Sequence, residues 1–292
     1  MNWNNDSSLE KKLTKHFING DNKCNIFEDL IYILFFFIEI INEKKIIQNN
    51  SNFNNFQNYN YNDSNFFDKS PSRILCESYL LNWLSKNFNR SDNINILDVG
   101  CGTGVSLEVF KKYFKKIKYL GCDIKKRNNW DQMKDENISF IEHEIGKPFN
   151  QNLGEFDLVY SQSVFEHIEY DLSAFEILAN NFKKAKNIHF VPAAISFLNY
   201  QKHGFRRYTH NSLVKLKKHL KHEMKFCGLG GARTLRYHFN FLQKNNIKGG
   251  ILSNALKKIM KYNNNHKTEK ELIDFLITDN AKNFPIFYAV EF

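Results

Sequence analysis

Between residues 94 and 193 the apolar positions keep changing their period. Short runs read as strands: "INILDVG" from Ile94, "KYLGCDI" from Lys118, "ISFIEHEI" from Ile138, "EFDLVYSQS" from Glu155 and "NIHFVPA" from Asn187. Amphipathic segments separate them, among them "SLEVFKKYF" and "LSAFEILANNFKKA". In the second, Leu172, Phe175, Leu178, Ala179 and Phe182 form one stripe at helical spacing. Such alternation predicts βαβ units and a mostly parallel sheet with helices on both faces. Downstream, "NSLVKLKKHL" reads as a helix, and "EMKFCGLGG" and "PIFYAVEF" supply two more strands, seven in all. Helices are expected between those two, near 251–262 and 268–278, the second opened by a capping box from Thr268 to Glu271.

The first part of the chain follows another pattern. Residues 1 to about 48 read as helical, and their most apolar run, "LIYILFFFIEII" from Leu30, has Asp29 before it and Glu39 inside it. That is shorter than the roughly 20 apolar residues that span a bilayer, so no transmembrane segment is expected. A buried or subunit-contacting helix is the simpler reading, and an interfacial membrane helix the alternative. The stretch 49–67 is Asn-rich and interleaved with aromatics, which suggests a linker or a flap over a ligand. Helix restarts at Ser70, which can cap, and Pro71, which suits a first turn. The expected division is therefore a helical cap and linker over 1–69 and one α/β domain over 70–292, with helices inserted before the last strand.

Composition adds little to this. The net charge of +10 comes from scattered lysines in a chain also rich in Asn, Ile and Phe, so it argues only weakly for an acidic partner. Five cysteines without CxxC spacing, and polar opening residues without a leader pattern, suit the reducing cytoplasm. His219 and His222 share i, i+3 spacing with no further ligand pattern, so no metal site is expected.

The chemistry centres on "ILDVGCGTG" at the first strand's end. No GxxxxGK[ST] phosphate loop exists in the chain, and the third glycine of Gly100-x-Gly102-x-Gly104 comes one place early for a dinucleotide fingerprint. Asp98 beside the loop would repel a pyrophosphate and attract a cationic ligand. The string resembles the first motif of class I S-adenosylmethionine-dependent methyltransferases in the form common among small-molecule enzymes, and the likeness runs in order over about 94–230. It implies a Rossmann-like fold and S-adenosyl-L-methionine as cofactor. Asp98, Gly100, Gly102 and Gly104 would form the cradle, with Cys101 a small side chain fitting the turn. Asp123, at the end of the second strand, would accept the ribose hydroxyls, with Ile124 beside it. Glu144 would stand near the adenine, where that family more often has Asp. Ser161 and Gln162, in "FDLVYSQSVFEH", would line the methionine end.

A ligand of such a sheet lies beyond the carboxyl ends of its strands. His167 follows the fourth strand, where it can shape the pocket or act as a base. "QKHGFRRYTH" follows the fifth and gathers His203, Arg206, Arg207, Tyr208 and His210. His203 and Tyr208 are candidate catalytic groups, while Arg206, Arg207 and His210 are candidates for binding an anionic or sugar-like acceptor. The expected acceptor is a small molecule, a saccharide or a lipid-linked intermediate, methylated on oxygen or nitrogen. "YSQS" stands where base-methylating enzymes carry an Asn/Asp-Pro-Pro-aromatic stretch, which argues against nucleic acid. A non-catalytic adenosyl-binding scaffold and an RNA methyltransferase are the alternatives, and the terminal helices offer surfaces for a homodimer.

Overall fold

The computed structural model describes residues 26–49, 69–149, 153–199, 203–245, 268–279 and 284–292. The helices are α1 (Ile26–Asn49), α2 (Pro71–Asn87), α3 (Val105–Tyr113), α4 (Trp130–Met133), α5 (Asp171–Asn181), α6 (His210–Leu220), α7 (Ala232–Lys244) and α8 (Glu269–Ile277). The strands are β1 (Asn93–Val99), β2 (Lys116–Asp123), β3 (Ile138–Glu142), β4 (Leu158–Gln162), β5 (Lys186–Pro192), β6 (Lys225–Leu229) and β7 (Phe287–Glu291).

All seven strands join one sheet in the order β3-β2-β1-β4-β5-β7-β6. β1 to β5 run parallel, with Asp98 paired to Gly121 on one side and to Tyr160 on the other. β7 enters reversed between β5 and β6, placing Phe287 beside both Pro192 and Leu229. Chain order changes direction at β1, which lies between β2 and β4. The crevice for a ligand in an open α/β sheet forms at such a switch point. Because both faces are covered, successive strand residues are buried on opposite sides. Ile96 lies in the same core as Leu107, Phe110 and Leu80, while Leu97 lies in a second core with Phe175, Leu178 and Leu216.

The α2 start forms as its sequence requires: Pro71 occupies the first turn, and the Ser70 hydroxyl accepts from the Arg73 amide. Thr268 opens α8 by accepting from the Glu271 amide at 3.2 Å. The expected helix at 251–262 and the Asn-rich stretch from residue 50 lie outside the described residues. α7 is a helix that the hydrophobic pattern does not announce. Its cap comes from far along the chain, where Asp279 accepts from the amide and hydroxyl of Thr234 at 2.7 and 2.8 Å. His222 falls beyond the end of α6, and His219 turns to Glu176 at 2.6 Å, so the two histidines share no helix face.

α1 docks on the α/β body through a narrow stripe. Phe36 stacks on Phe197 with ring centroids 4.8 Å apart, and Ile40 is buried one turn on. Its other side stays open, with Phe27, Leu30, Ile31, Leu34, Ile38 and Ile41 exposed. Among the described residues, no helix is long and apolar enough to cross a membrane. The stripe ends at Glu43, a buried carboxyl that accepts from the Tyr288 hydroxyl and, at 3.1 Å, from the His210 amide. Burial lifts Glu43 from 4.5 to about 7, against the pull of those two donors.

A carboxyl raised on folding stabilises the protein below its ordinary range and loses that contribution as pH climbs through the raised value. Glu43 therefore makes the fold less stable between about pH 5 and pH 8. Chemical denaturation across that range should show the decline, and Glu43→Gln should flatten it. Glu43→Ala should cost about 1–3 kcal/mol at pH 5, because the Tyr288 hydroxyl and the His210 amide lose their acceptor.

Candidate functional site

The loop 100–104 is built from three left-handed residues, Gly100, Gly102 and Gly104, with φ of 67°, 55° and 77°. A left-handed backbone costs other residues roughly 1–2 kcal/mol, which accounts for the spacing. The loop is tied at every turn. The Cys101 amide donates to the Cys122 carbonyl at 3.0 Å, and the Trp130 indole donates to the Gly102 carbonyl at 2.8 Å. Trp130 is itself stacked on Phe140, 5.1 Å away. The Gly102 amide points down onto the Asp123 carboxylate at 2.9 Å. A Cβ built on Gly100 would stand 2.3 Å from a Val164 methyl, whereas one on Gly102 would meet nothing within 4 Å. Gly100 thus lets the loop touch the residues after β4, and Gly102 faces open space.

Two carboxyls flank this space. Asp98 is 1% exposed and accepts from the Tyr119 hydroxyl at 2.6 Å. Burial raises its pKa to about 7, with the nearby Asp123 adding to the rise and Tyr119 opposing it. A positively charged group placed beside it would drive that proton off. Asp123 holds Arg127 at 3.0 Å through its second oxygen. The next residue, Ile124, is 70% exposed and offers a flat apolar rest at the mouth. Glu144 is exposed and paired with Lys147 at 2.6 Å. Cys101 is buried, and burial holds its thiol far above the ordinary range, which removes it as a nucleophile.

Across the switch point, Ser161 and Gln162 end β4. The Ser161 hydroxyl is fully buried and bonds His189 Nδ1 at 2.8 Å, while Gln162 is half-buried and accepts from the Tyr160 hydroxyl. Burial among Phe165, Phe175 and Phe292 lowers His189 to about 3, so it is neutral at physiological pH. A one-turn 3-10 helix, Phe165–His167, follows, and Ser163 before it takes φ of 56°, strain of the kind that gathers at working sites.

The segment after β5 folds back over that turn. The Phe205 amide donates to the Glu166 carbonyl at 2.6 Å, and Gly204, at φ 70°, lies so near that a Cβ would be 2.5 Å from the same oxygen. The expected acceptor-side residues then separate. His203 meets His167, with ring centroids 4.4 Å apart and planes at 84°. Arg206 turns onto Asp171 at 2.6 Å and the Glu169 carbonyl. Arg207 turns onto the His203 and Arg206 carbonyls. Tyr208 is buried and donates to Asp171 at 2.6 Å. His210 is buried at the start of α6, against Phe226. A cleft of about 460 Å³ on the α2 side, lined by Glu77, Leu81, Thr103, Gly104 and Met133, holds none of these acceptor-side groups.

The structure also brings in residues that sequence reasoning passed over: Tyr119, Arg127, Trp130 and Glu166. Arg127 sits four places after Asp123 and was legible as a partner for it. Nothing in the sequence sets Trp130 and Tyr119 apart from other aromatics, or Glu166 from other acids.

Residues 97–185 match a family model described as a methyltransferase domain. That stretch, under a third of the chain, is therefore similar to a methyltransferase domain. Among curated proteins it is similar to the mitochondrial ubiquinone biosynthesis O-methyltransferase of Dictyostelium discoideum, 28% identical over 123 residues. That match covers 37% of this chain and 38% of the relative, so the chain spans well under half of the relative's length. Among solved structures it is similar to a plantazolicin methyltransferase in complex with SAH, at 14% identity and TM-score 0.49 over 76% of this chain and 84% of that one. It is likewise similar to a SAM-dependent methyltransferase from Archaeoglobus fulgidus, at 16% identity and TM-score 0.45 over 75% and 93%.

The first two glycines of the loop can be told apart by experiment. Gly100→Ala should lower the melting temperature markedly, because Val164 cannot withdraw without moving the turn behind it. Gly102→Ala should cost only about 1–2 kcal/mol of stability, the left-handed penalty alone. It should nevertheless weaken ligand binding at least as much as Gly100→Ala. Thermal denaturation with calorimetric ligand titration of both variants separates the effects.

Proposed function

We propose that the chain is an S-adenosyl-L-methionine-dependent methyltransferase acting on oxygen or nitrogen of a small-molecule, saccharide or lipid-linked acceptor. The observation that carries this reading is the cradle itself: open space over Gly102, the Asp123 carboxylate under its amide, and buried Asp98 behind it. The combination suits a ligand with ribose hydroxyls and a positive charge better than one with phosphates. The mouth fits the cofactor's other end as well, since Ile124 is exposed where an adenine could rest. When bound, the cofactor supplies an electrophilic methyl on a sulfonium. The chain's own residues must then align the acceptor, and proximity alone can account for much of the barrier reduction.

In this reading Gly100, Gly102 and Gly104 hold the amino-acid end, with Asp98 as counter-charge. Asp123 takes the ribose once Arg127 shares or releases its second oxygen. Glu144 stays near the adenine, and Gln162 closes the methionine side. Ser161 acts through its backbone, because its hydroxyl is bonded to His189 in the core. His167 and His203 are the working groups at the acceptor end. Tyr208, Arg206 and Arg207 move from the acceptor to the frame, since their polar atoms already hold Asp171 or backbone carbonyls, and His210 joins them through its amide bond to Glu43 and its ring against Phe226. The curated relative is an O-methyltransferase, which favours oxygen as the acceptor atom.

Calorimetry with S-adenosylmethionine tests the reading: saturable binding is expected, and its absence would overturn it. Asp123→Ala should weaken that binding about tenfold or more, a loss of ~1.4 kcal/mol or greater. Binding should tighten as pH rises from 6 to 8, because the cation competes with the Asp98 proton, and Asp98→Asn should abolish this slope. Transfer of labelled methyl to hydroxyl-bearing compounds in a fractionated extract then identifies the acceptor.

A further inference from the structure

Beyond the end of β4, three side chains with metal-binding atoms come together. One carboxylate oxygen of Glu166 and one ring nitrogen each of His167 and His203 all lie within 4.8 Å of one another. Glu166 is buried, and the His167 side chain is one-third exposed. The Glu166 oxygen and His167 Nε2 stand 4.0 Å apart, too far for a hydrogen bond between them. Bonds of about 2.0–2.2 Å to a shared ion would set such donors roughly 3–4 Å apart, a small rotation of the half-buried imidazoles from where they stand.

The surroundings hold this arrangement in place. Gly204 permits His203 to lie against Glu166, because any side chain at 204 would strike the Glu166 carbonyl. The Phe205 amide fixes the same carbonyl. Arg206 turns onto Asp171, and Arg207 donates to backbone carbonyls. Val164, packed on Gly100, ties this turn to the glycine loop, so the cluster sits at the same end of the sheet as the cradle.

We propose that Glu166, His167 and His203 bind one first-row divalent cation that receives a hydroxyl of the acceptor. Two imidazoles and one carboxylate suit Mn²⁺, Fe²⁺, Co²⁺ or Zn²⁺ better than Mg²⁺ or Ca²⁺, which prefer oxygen alone. Three protein ligands leave positions open for an acceptor oxygen. A bound cation lowers the pKa of that hydroxyl, which replaces the general base that Tyr208 cannot provide from its buried position. In the step, the oxygen lone pair forms a bond to the methyl carbon and the carbon–sulfur bond breaks with its electron pair going to sulfur. The hydroxyl proton passes to solvent. This catalytic role rests on the methyltransferase reading, whereas the ion site itself does not.

The test is therefore made first without cofactor. The full chain, freed of metal by chelator, is titrated with Co²⁺ by absorbance and with Mn²⁺ by electron paramagnetic resonance. One saturable equivalent is expected, weakened at least tenfold in His203→Ala and in His167→Ala, with melting temperatures confirming that both fold. Absence of saturable binding, or binding undiminished in the double variant, overturns the site. S-Adenosylmethionine titration of the same samples reads the methyltransferase proposal separately, and His203→Ala should bind it as the parent does. Methyl transfer should fall on chelation and return with Mn²⁺; transfer indifferent to chelator overturns the catalytic role.

Discussion

Everything at the working end of this molecule depends on the contact between Gly100 and Val164. The glycine loop and the turn after β4 come from strands on the two sides of the switch point, and nothing in the covalent chain makes them meet. They meet because Gly100 has no side chain and can take φ of 67°, so the Val164 methyls fill the place a Cβ would need. In the proposed reading, that contact fixes the distance between a ligand over Gly102 and one held by Glu166 and His167. A donor and an acceptor reacting in line need such a fixed separation, since a shift of an ångström is expensive in rate.

The segment after β5 shows the same economy. Its charges look like a binding surface in one dimension and act as fasteners in three. Asp171, buried at the head of α5, collects Arg206 and Tyr208, and burial raises its pKa even with the guanidinium beside it. Such a knot has specific geometry and a high cost of disruption, because removing one partner leaves the others buried without compensation. The knot holds the turn that presents His203.

The sheet was readable from the sequence because a doubly covered parallel sheet imposes its own signature: short apolar strands, a glycine loop after the first and an acid after the second. The cap of α2 was readable too, since Ser70 and Pro71 act within one turn. α7 was not, because its cap, Asp279, lies beyond another helix. In the site, Asp98, Asp123 and the glycines announce themselves by spacing along a strand and its loop. The grouping of Glu166 and His167 with His203 does not, since α5, β5 and the turn after β5 intervene and only the fold brings them together. Arg206, Arg207 and Tyr208 show the converse: residue type indicates what a side chain can bind, while the fold shows them already bonded to Asp171 or to backbone carbonyls.

Glu43 joins distant parts of the molecule. One of its oxygens holds Tyr288, in the reversed strand, and the amide of His210, the first residue of α6 and the last of the folded-back segment. The position of α1 is therefore linked to the segment that carries His203. By thermodynamic reciprocity, a ligand that steadies this segment also favours the seated helix, and a surface that draws α1 away by its apolar side loosens the segment in return. The helix is less an appendage than a lever whose fulcrum is a single buried carboxyl.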